Sequence, residues 1–324
     1  YYSMKKQNKL GYACINMQLS YPQQYGNMPR GTQRITTGRS MIKRTFLSKG
    51  IEYASEIGLK NAKDLIKVIE WNIKNNFDFY RLGSDLLPWA SEYNIKDLPD
   101  YDEIKSSLQQ AGKLANDNNI RVTSHPGPFN VLTSPHEHVV QRCVTDLTIH
   151  GEIFDMMGLS RTPYNKINIH LGGAYGDKPS AMKRFCKNFN LLPESVKTRL
   201  TVENDDKASM YSVKELYEGV YKQINIPIVF DYHHHKFCTG DLTEQQALEL
   251  AMSTWDNIVP VVHYSESRSK EQNDVKIRPQ AHSDYVYDYI ETYGNRVDIM
   301  VEAKHKELAV IKYKEIHSLQ TVTI

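Results

Sequence analysis

Residues 229–236 read Val-Phe-Asp-Tyr-His-His-His-Lys and set one carboxylate, Asp231, and three imidazoles, His233, His234 and His235, directly after a short apolar run. Residues 226–230 have the composition of a buried strand, so these groups stand at a strand's C-terminal end. Imidazole nitrogen combined with carboxylate oxygen is a ligand set that suits zinc, manganese or iron. The run is internal and only three histidines long, unlike a purification tag. The cysteines Cys14, Cys143, Cys186 and Cys238 lie far apart with no Cys-x-x-Cys spacing, which argues against a zinc–thiolate site or a disulfide framework.

The elements that must position such a site follow from hydrophobic periodicity. Apolar runs at 10–15, 77–82, 120–123, 167–169, 199–202, 226–230, 259–262 and 297–301 read as eight strands. Helical patterns alternate with them at 61–75, 101–116, 135–158, 178–190, 212–223, 243–253 and 283–293. Pro135 and Gly158 punctuate one of these helices, and Ser212 with Glu215 forms a capping box on another. An extended, turn-rich basic loop is expected at 20–50, after the first strand. The alternation predicts a single (β/α)8 TIM barrel over 1–324, its core spanning about 10–306 with short tails, and an open doubly wound sheet is the alternative.

Six successive strands then end in His125, His170, Glu203, Asp231, His263 and Glu302, and His282 falls on the loop before the last strand. A lone buried histidine is ordinarily a hydrogen-bonded core residue. Six ligand-type residues at equivalent positions are another matter, because buried charges are costly unless paired or metal-bound, and a barrel gathers its C-terminal strand ends at one mouth. Seven or eight ligands exceed one ion's needs, so two or three divalent ions are expected. Closely spaced ions suit phosphodiester cleavage, one activating water while the others stabilise the attacking and leaving oxygens.

Charge supports a polyanionic partner. Nine of the 40 Lys and Arg residues (Lys5, Lys6, Lys9, Arg30, Arg34, Arg39, Lys43, Arg44 and Lys49) lie in residues 1–51, which contain no Asp or Glu, leaving 31 basic against 38 acidic residues beyond. Hydrophobic content of 40% and charged content of 24% fit a globular domain. No apolar run reaches the roughly 18 residues of a membrane span, and the polar start 1–9 lacks a signal-peptide core, so an intracellular protein of cytoplasm, nucleoid or nucleus is expected, with no obligate protein partner implied. Two turns are suggestive. Leu171-Gly172-Gly173-Ala174-Tyr175-Gly176 is of a kind that brings backbone close to phosphate, and His125-Pro126-Gly127-Pro128-Phe129 carries an aromatic tip that can wedge into a base stack.

These residues resemble the UV damage endonucleases, relatives of endonuclease IV and xylose isomerase. The resemblance rests on Leu10-Gly11-Tyr12 with Asn16, Arg81-Leu82-Gly83 followed by Leu87-Pro88, His125-Pro126-Gly127, and the His170 to Gly176 turn. It continues through Glu203-Asn204-Asp205, Asp231 with His234 and His235, His263-Tyr264-Ser265, Arg278-Pro279 with Ala281-His282, and Val301-Glu302-Ala303-Lys304. It implies nicking of damaged double-stranded DNA on the 5′ side of cyclobutane dimers and 6-4 photoproducts, abasic sites also being accepted, to leave 3′-hydroxyl and 5′-phosphate ends. By the resemblance, His125, His170 and Glu203 would hold one ion. Glu203, Asp231, His263 and Glu302 would hold a second, and His234 with His282 a third, manganese being favoured over zinc or magnesium. Glu203, His234 and Glu302 are the expected catalytic residues; Tyr12, Asn16, Arg34, Arg39, Pro128, Phe129, Tyr175 and Lys304 are the expected DNA contacts.

Three positions depart from the family pattern. Pro128-Phe129 stands where Gln-Tyr is usual, Val261 where a Lys, sometimes carboxylated, precedes the histidine, and Asp85 where some members have His. The competing readings are a metal-dependent sugar isomerase on the same barrel, which leaves the basic segment unexplained, and a lesion-binding relative with weakened catalysis.

Overall fold

The computed structural model describes residues 7–317. The expectations for residues 1–6, including Lys5 and Lys6, lie outside that range. Eight four-residue strands are each buried almost throughout: β1 (Leu10–Ala13), β2 (Phe79–Leu82), β3 (Arg121–Ser124), β4 (Ile167–His170), β5 (Leu200–Glu203), β6 (Ile228–Asp231), β7 (Val261–Tyr264) and β8 (Asp298–Val301). All pair in parallel in sequence order, and β8 closes on β1, so the barrel, and not the open sheet, is formed.

Strand side chains alternate with period two, which layers the interior. Phe79, Val229, Val261 and Met300, with Ala13 and Trp255, fill the middle as one apolar cluster. Gly11 is required there, because a Cβ would lie 2.7 Å from the Phe79 ring and 2.9 Å from Met300. Below them Arg121 and Asp298 pair at 3.0 Å, both almost fully buried. The same guanidinium donates to the carbonyls of Tyr164, Val259 and Pro163, so its donors are met without water. Lys9 lies at this floor too, its backbone NH donating to Asp298 and its ammonium to the Asn119 carbonyl. One of the nine early cations is therefore structural and far from the mouth.

Two expectations about helices are corrected. The first long helix runs Lys43–Lys74, so the basic segment is not extended throughout; Gly50, at φ 72°, kinks it. Its early part buries the small residues Ala54, Ser55 and Gly58 around Ile57 and therefore shows less of the large apolar periodicity that marks 61–75. Residues 283–293 are irregular. The carboxylate of Glu271 accepts from the backbone NH groups of Asp284 and Tyr285, and that of Glu266 from those of Tyr287 and Asp288. These side chains take the donors that a helix would have used. The helix after β8 is Glu307–Ile316. No helix among the described residues is long and apolar enough to cross a membrane.

Replacing Arg121 with Ala strands a buried carboxylate. Denaturant unfolding is expected to register a loss of about 3–5 kcal/mol, with metal affinity at the opposite end unchanged.

Candidate active site

The layer above the apolar cluster holds the ligand-type residues. Register makes them neighbours: His170 lies beside Glu203 across β4 and β5, and Asp231 beside His263 across β6 and β7. His125 follows β3, and Glu302 follows β8. Two groups of possible ligands result, His125–His170–Glu203 and Glu203–Asp231–His263–Glu302. Within each, one ligand atom per residue lies within 4.8 Å of all the others.

Glu203 is common to both groups and only 1% exposed. Its Oε1 lies 3.1 Å from His125 Nε2, 3.4 Å from His170 Nε2 and 2.9 Å from the Asn168 amide, while its Oε2 lies 3.0 Å from His263 Nδ1. Neighbours fix the ring orientations. His125 Nδ1 faces the Pro126 carbonyl at 3.1 Å, and His170 Nδ1 faces Asp205 Oδ1 at 2.8 Å, so in both rings the other nitrogen is turned to the centre. Thr201 donates to Asn168 Oδ1, holding that amide toward Glu203. Arg81 pairs with Glu302 at 2.9 Å.

The donor set fits divalent ions. Asp231 Oδ2 is buried without a hydrogen-bond partner, an arrangement that a bound cation would relieve. Electrostatics agrees. Burial, reinforced by Glu203 and Glu302, pushes the Asp231 carboxyl well above its usual range, because three crowded carboxylates resist common ionisation. Burial opposes ionisation of Glu203 as well, but His263 and His170 hold it well below the ordinary value. Burial pushes His263 down to about 4, so this imidazole is neutral at pH 7 and free to ligate.

The expected third ion has less around it. His234 Nδ1 donates to the Asn204 carbonyl at 2.7 Å and lies 3.4 Å from Glu203 and 3.5 Å from Asp231, with Nε2 left over. Although burial opposes it, Asp231 and Glu203 raise His234 to about 10. His282 is close enough to Glu302 and His234 to feel their charge, but among the described residues it joins no group of three ligands. The other two members of the triple run turn away: His233 Nε2 faces the Pro279 carbonyl, and the His235 ring packs on Phe230.

Val261 belongs to the apolar cluster, yet a buried lysine still stands beside His263. Lys166, just before β4, places Nζ 3.4 Å from His263 Nε2. Sequence reasoning missed Lys166, Asn168 and Asp205 as supports; the available signal was their period-two spacing with His170 and Glu203. Among the expected DNA contacts, Phe129 and Tyr175 are 66% and 50% exposed, and Pro128, Arg34 and Lys304 are exposed. Arg39 is turned inward to Asp64 at 2.7 Å. Tyr12 and Asn16 are buried: the Tyr12 hydroxyl donates to Asn72 and accepts from Asn16, whose Oδ1 caps Leu19. In this conformation the pair braces the corner after β1. Asp85 is exposed.

Closed barrel and mouth together define a (β/α)8 protein with a histidine–carboxylate centre of metal-binding type. Comparison narrows this further: residues 8–324 match the UV-endonuclease UvdE family, and the chain belongs to it. It is 36% identical over 322 residues to the UV-damage endonuclease of Schizosaccharomyces pombe, covering 96% of this chain but 51% of that protein, so it spans about half the yeast relative's length. The UV DNA damage endonuclease of Bacillus mycoides is 35% identical, with 88% of each chain covered. The crystal structure of SacUVDE superposes with a TM-score of 0.80 at 27% identity over 97% of this chain and 99% of that one.

Asp231 would ligate as the carboxylate, and burial beside Glu203 and Glu302 raises its titration, so Mn2+ binding is expected to release protons and affinity to rise with pH. Calorimetry in two buffers of different ionisation enthalpy measures this, and zero proton release would refute it.

Proposed function

We propose that this chain is a metal-dependent DNA repair endonuclease that nicks duplex DNA on the 5′ side of cyclobutane dimers and 6-4 photoproducts, with abasic sites as further substrates, leaving 3′-hydroxyl and 5′-phosphate ends. The observation that carries this reading is the pair of ligand groups sharing buried Glu203 at the C-terminal end of the barrel, in a chain of the UV-endonuclease family. Two divalent ions, manganese for preference, would be held by His125, His170 and Glu203 and by Glu203, Asp231, His263 and Glu302, with His234 and His282 offering donors for a third. Such ions supply Lewis-acid stabilisation of the charge that builds on phosphate oxygens during in-line displacement.

The protein's own residues do the rest. Glu203 takes the central place because both ligand groups need it. Arg81 orients Glu302, and Asp205 and the Pro126 carbonyl keep His170 and His125 aimed inward. His234 brings a proton-bearing imidazole beside Glu203 and Asp231. On the rim, exposed Arg34 and Lys304 would meet backbone phosphates, and Phe129 and Tyr175, on the loops after β3 and β4, would offer rings to bases unstacked at the lesion. Pro128 and Phe129 carry no hydrogen-bonding side-chain group, so recognition at this tip would be by stacking and shape.

Glu203→Gln is expected to abolish incision of an oligonucleotide duplex containing a single thymine dimer in Mn2+, with the circular dichroism of the fold retained. Phe129→Ala should weaken binding of the same duplex by about 1–3 kcal/mol in a gel shift. Binding of the lesion by the unmodified chain with no incision in any divalent ion would reduce the protein to a lesion-binding relative.

A further inference from the structure

The loop after β8 holds a lysine in a conformation that side chains avoid. His305 to Leu308 form a tight turn closed by the Leu308 NH on the His305 carbonyl at 3.0 Å. Lys306, first of the two central residues, has φ 53° and ψ −123°. Those angles are the type II′ values normally taken by glycine, because a Cβ there is strained. Strain of this kind persists only where the surroundings impose it, and it concentrates at functional sites.

The next residue supplies the restraint. Glu307 is fully buried, and its carboxylate accepts from the backbone NH groups of Met17 and Gln18, tying the last helix to the segment after β1. This pins the turn but does not call for lysine, since glycine would fill position 306 without strain. The ammonium is not explained internally either: among the described residues Lys306 Nζ makes no hydrogen bond and no ion pair. Burial dominates its electrostatics and lowers its pKa, while Cys14, Arg81, Glu302 and Lys304 are the charged or titratable groups it feels. Lys306 follows Glu302 on the loop after β8, and Glu307 ties its turn to Met17 and Gln18 after β1, so the turn stands on the β1–β8 side of the mouth. Glu302 is already paired with Arg81 and is not its dedicated counter-ion.

The geometry points to Lys306 as a phosphate-contacting residue of the DNA site, its strained turn holding the ammonium at the β1–β8 rim so that a backbone phosphate supplies the missing ionic partner. This assignment rests on the DNA reading above. A half-buried cation gives up less side-chain freedom on contact than the exposed Lys304. It also fixes the position of one strand relative to Glu302 without reading sequence.

Three variants separate this role from a structural one. Lys306→Gly removes both charge and strain, Lys306→Met removes the charge alone, and Lys306→Arg keeps the charge. Binding of a fluorescein-labelled duplex with a single thymine dimer is followed by anisotropy across a salt series. Lys306→Gly is expected to melt about 2 °C higher yet bind about tenfold more weakly, with the slope of log K against log salt reduced by about 0.9. Lys306→Met should bind as weakly without the gain in melting temperature, and Lys306→Arg should restore most of the affinity and the salt slope. Incision should show a raised KM at nearly unchanged kcat. If the unmodified protein binds and Lys306→Gly and Lys306→Met match it in affinity and slope, the assignment is overturned while the DNA reading stands. If the unmodified protein fails to bind the duplex at all, both fall.

Discussion

The carboxylate of Glu203 is the constraint on which the rest of the molecule depends. A group only 1% exposed has lost its water, and it survives as an anion because imidazoles and an amide converge on its two oxygens. Those partners come from β3, β4 and β7, separated by long stretches of chain. Only a closed sheet that brings consecutive strand ends into register can deliver them together. The barrel is thus the scaffold that makes this carboxylate tolerable, and the carboxylate is what joins the two ligand groups into one centre.

Around it the polar layer is only partly neutralised. Glu203, Asp231 and Glu302 crowd together against the Arg81 guanidinium and the His234 imidazole, which is raised to about 10, while burial keeps His263 neutral. Burial and the crowding of these carboxylates push the Asp231 carboxyl well above its usual range. A centre in that state is poised for cations, whose charge would let all three carboxylates ionise. The same crowding that would destabilise an ordinary core is what a divalent ion would relieve.

Much of this was legible in the chain. Each of the six ligand positions follows an apolar run short enough to be a strand, and the convergence of strand ends in a barrel then follows from topology. What could not be read depended on contacts distant in sequence. Arg121 and Asp298 look like surface residues in isolation, and only the closed floor pairs them. The helical pattern at 283–293 was defeated by the carboxylates of Glu266 and Glu271, which capture its backbone donors. The helix start at Lys43 was hidden because its early buried face sets Ile57 among the small residues Ala54, Ser55 and Gly58. Tyr12, Asn16 and Arg39 are expected as DNA contacts, and the hydrogen bond of Tyr12 to Asn72 and the ion pair of Arg39 with Asp64, which turn two of them inward, could not be read from the chain. Lys166 was invisible because its significance lies in its proximity to His263, nearly a hundred residues away.

The filled interior has one more consequence. With Phe79, Trp255, Val261 and Met300 occupying the waist and the Arg121–Asp298 pair plugging the lower end, nothing ionic can pass through the barrel. Among the described residues, that leaves the mouth, over which the nucleic acid would lie, as the route to the carboxylate layer. Substrate docking would then seal the ions in, making their exchange with solvent slow for as long as the duplex stays bound and tying cofactor residence to the lifetime of the complex.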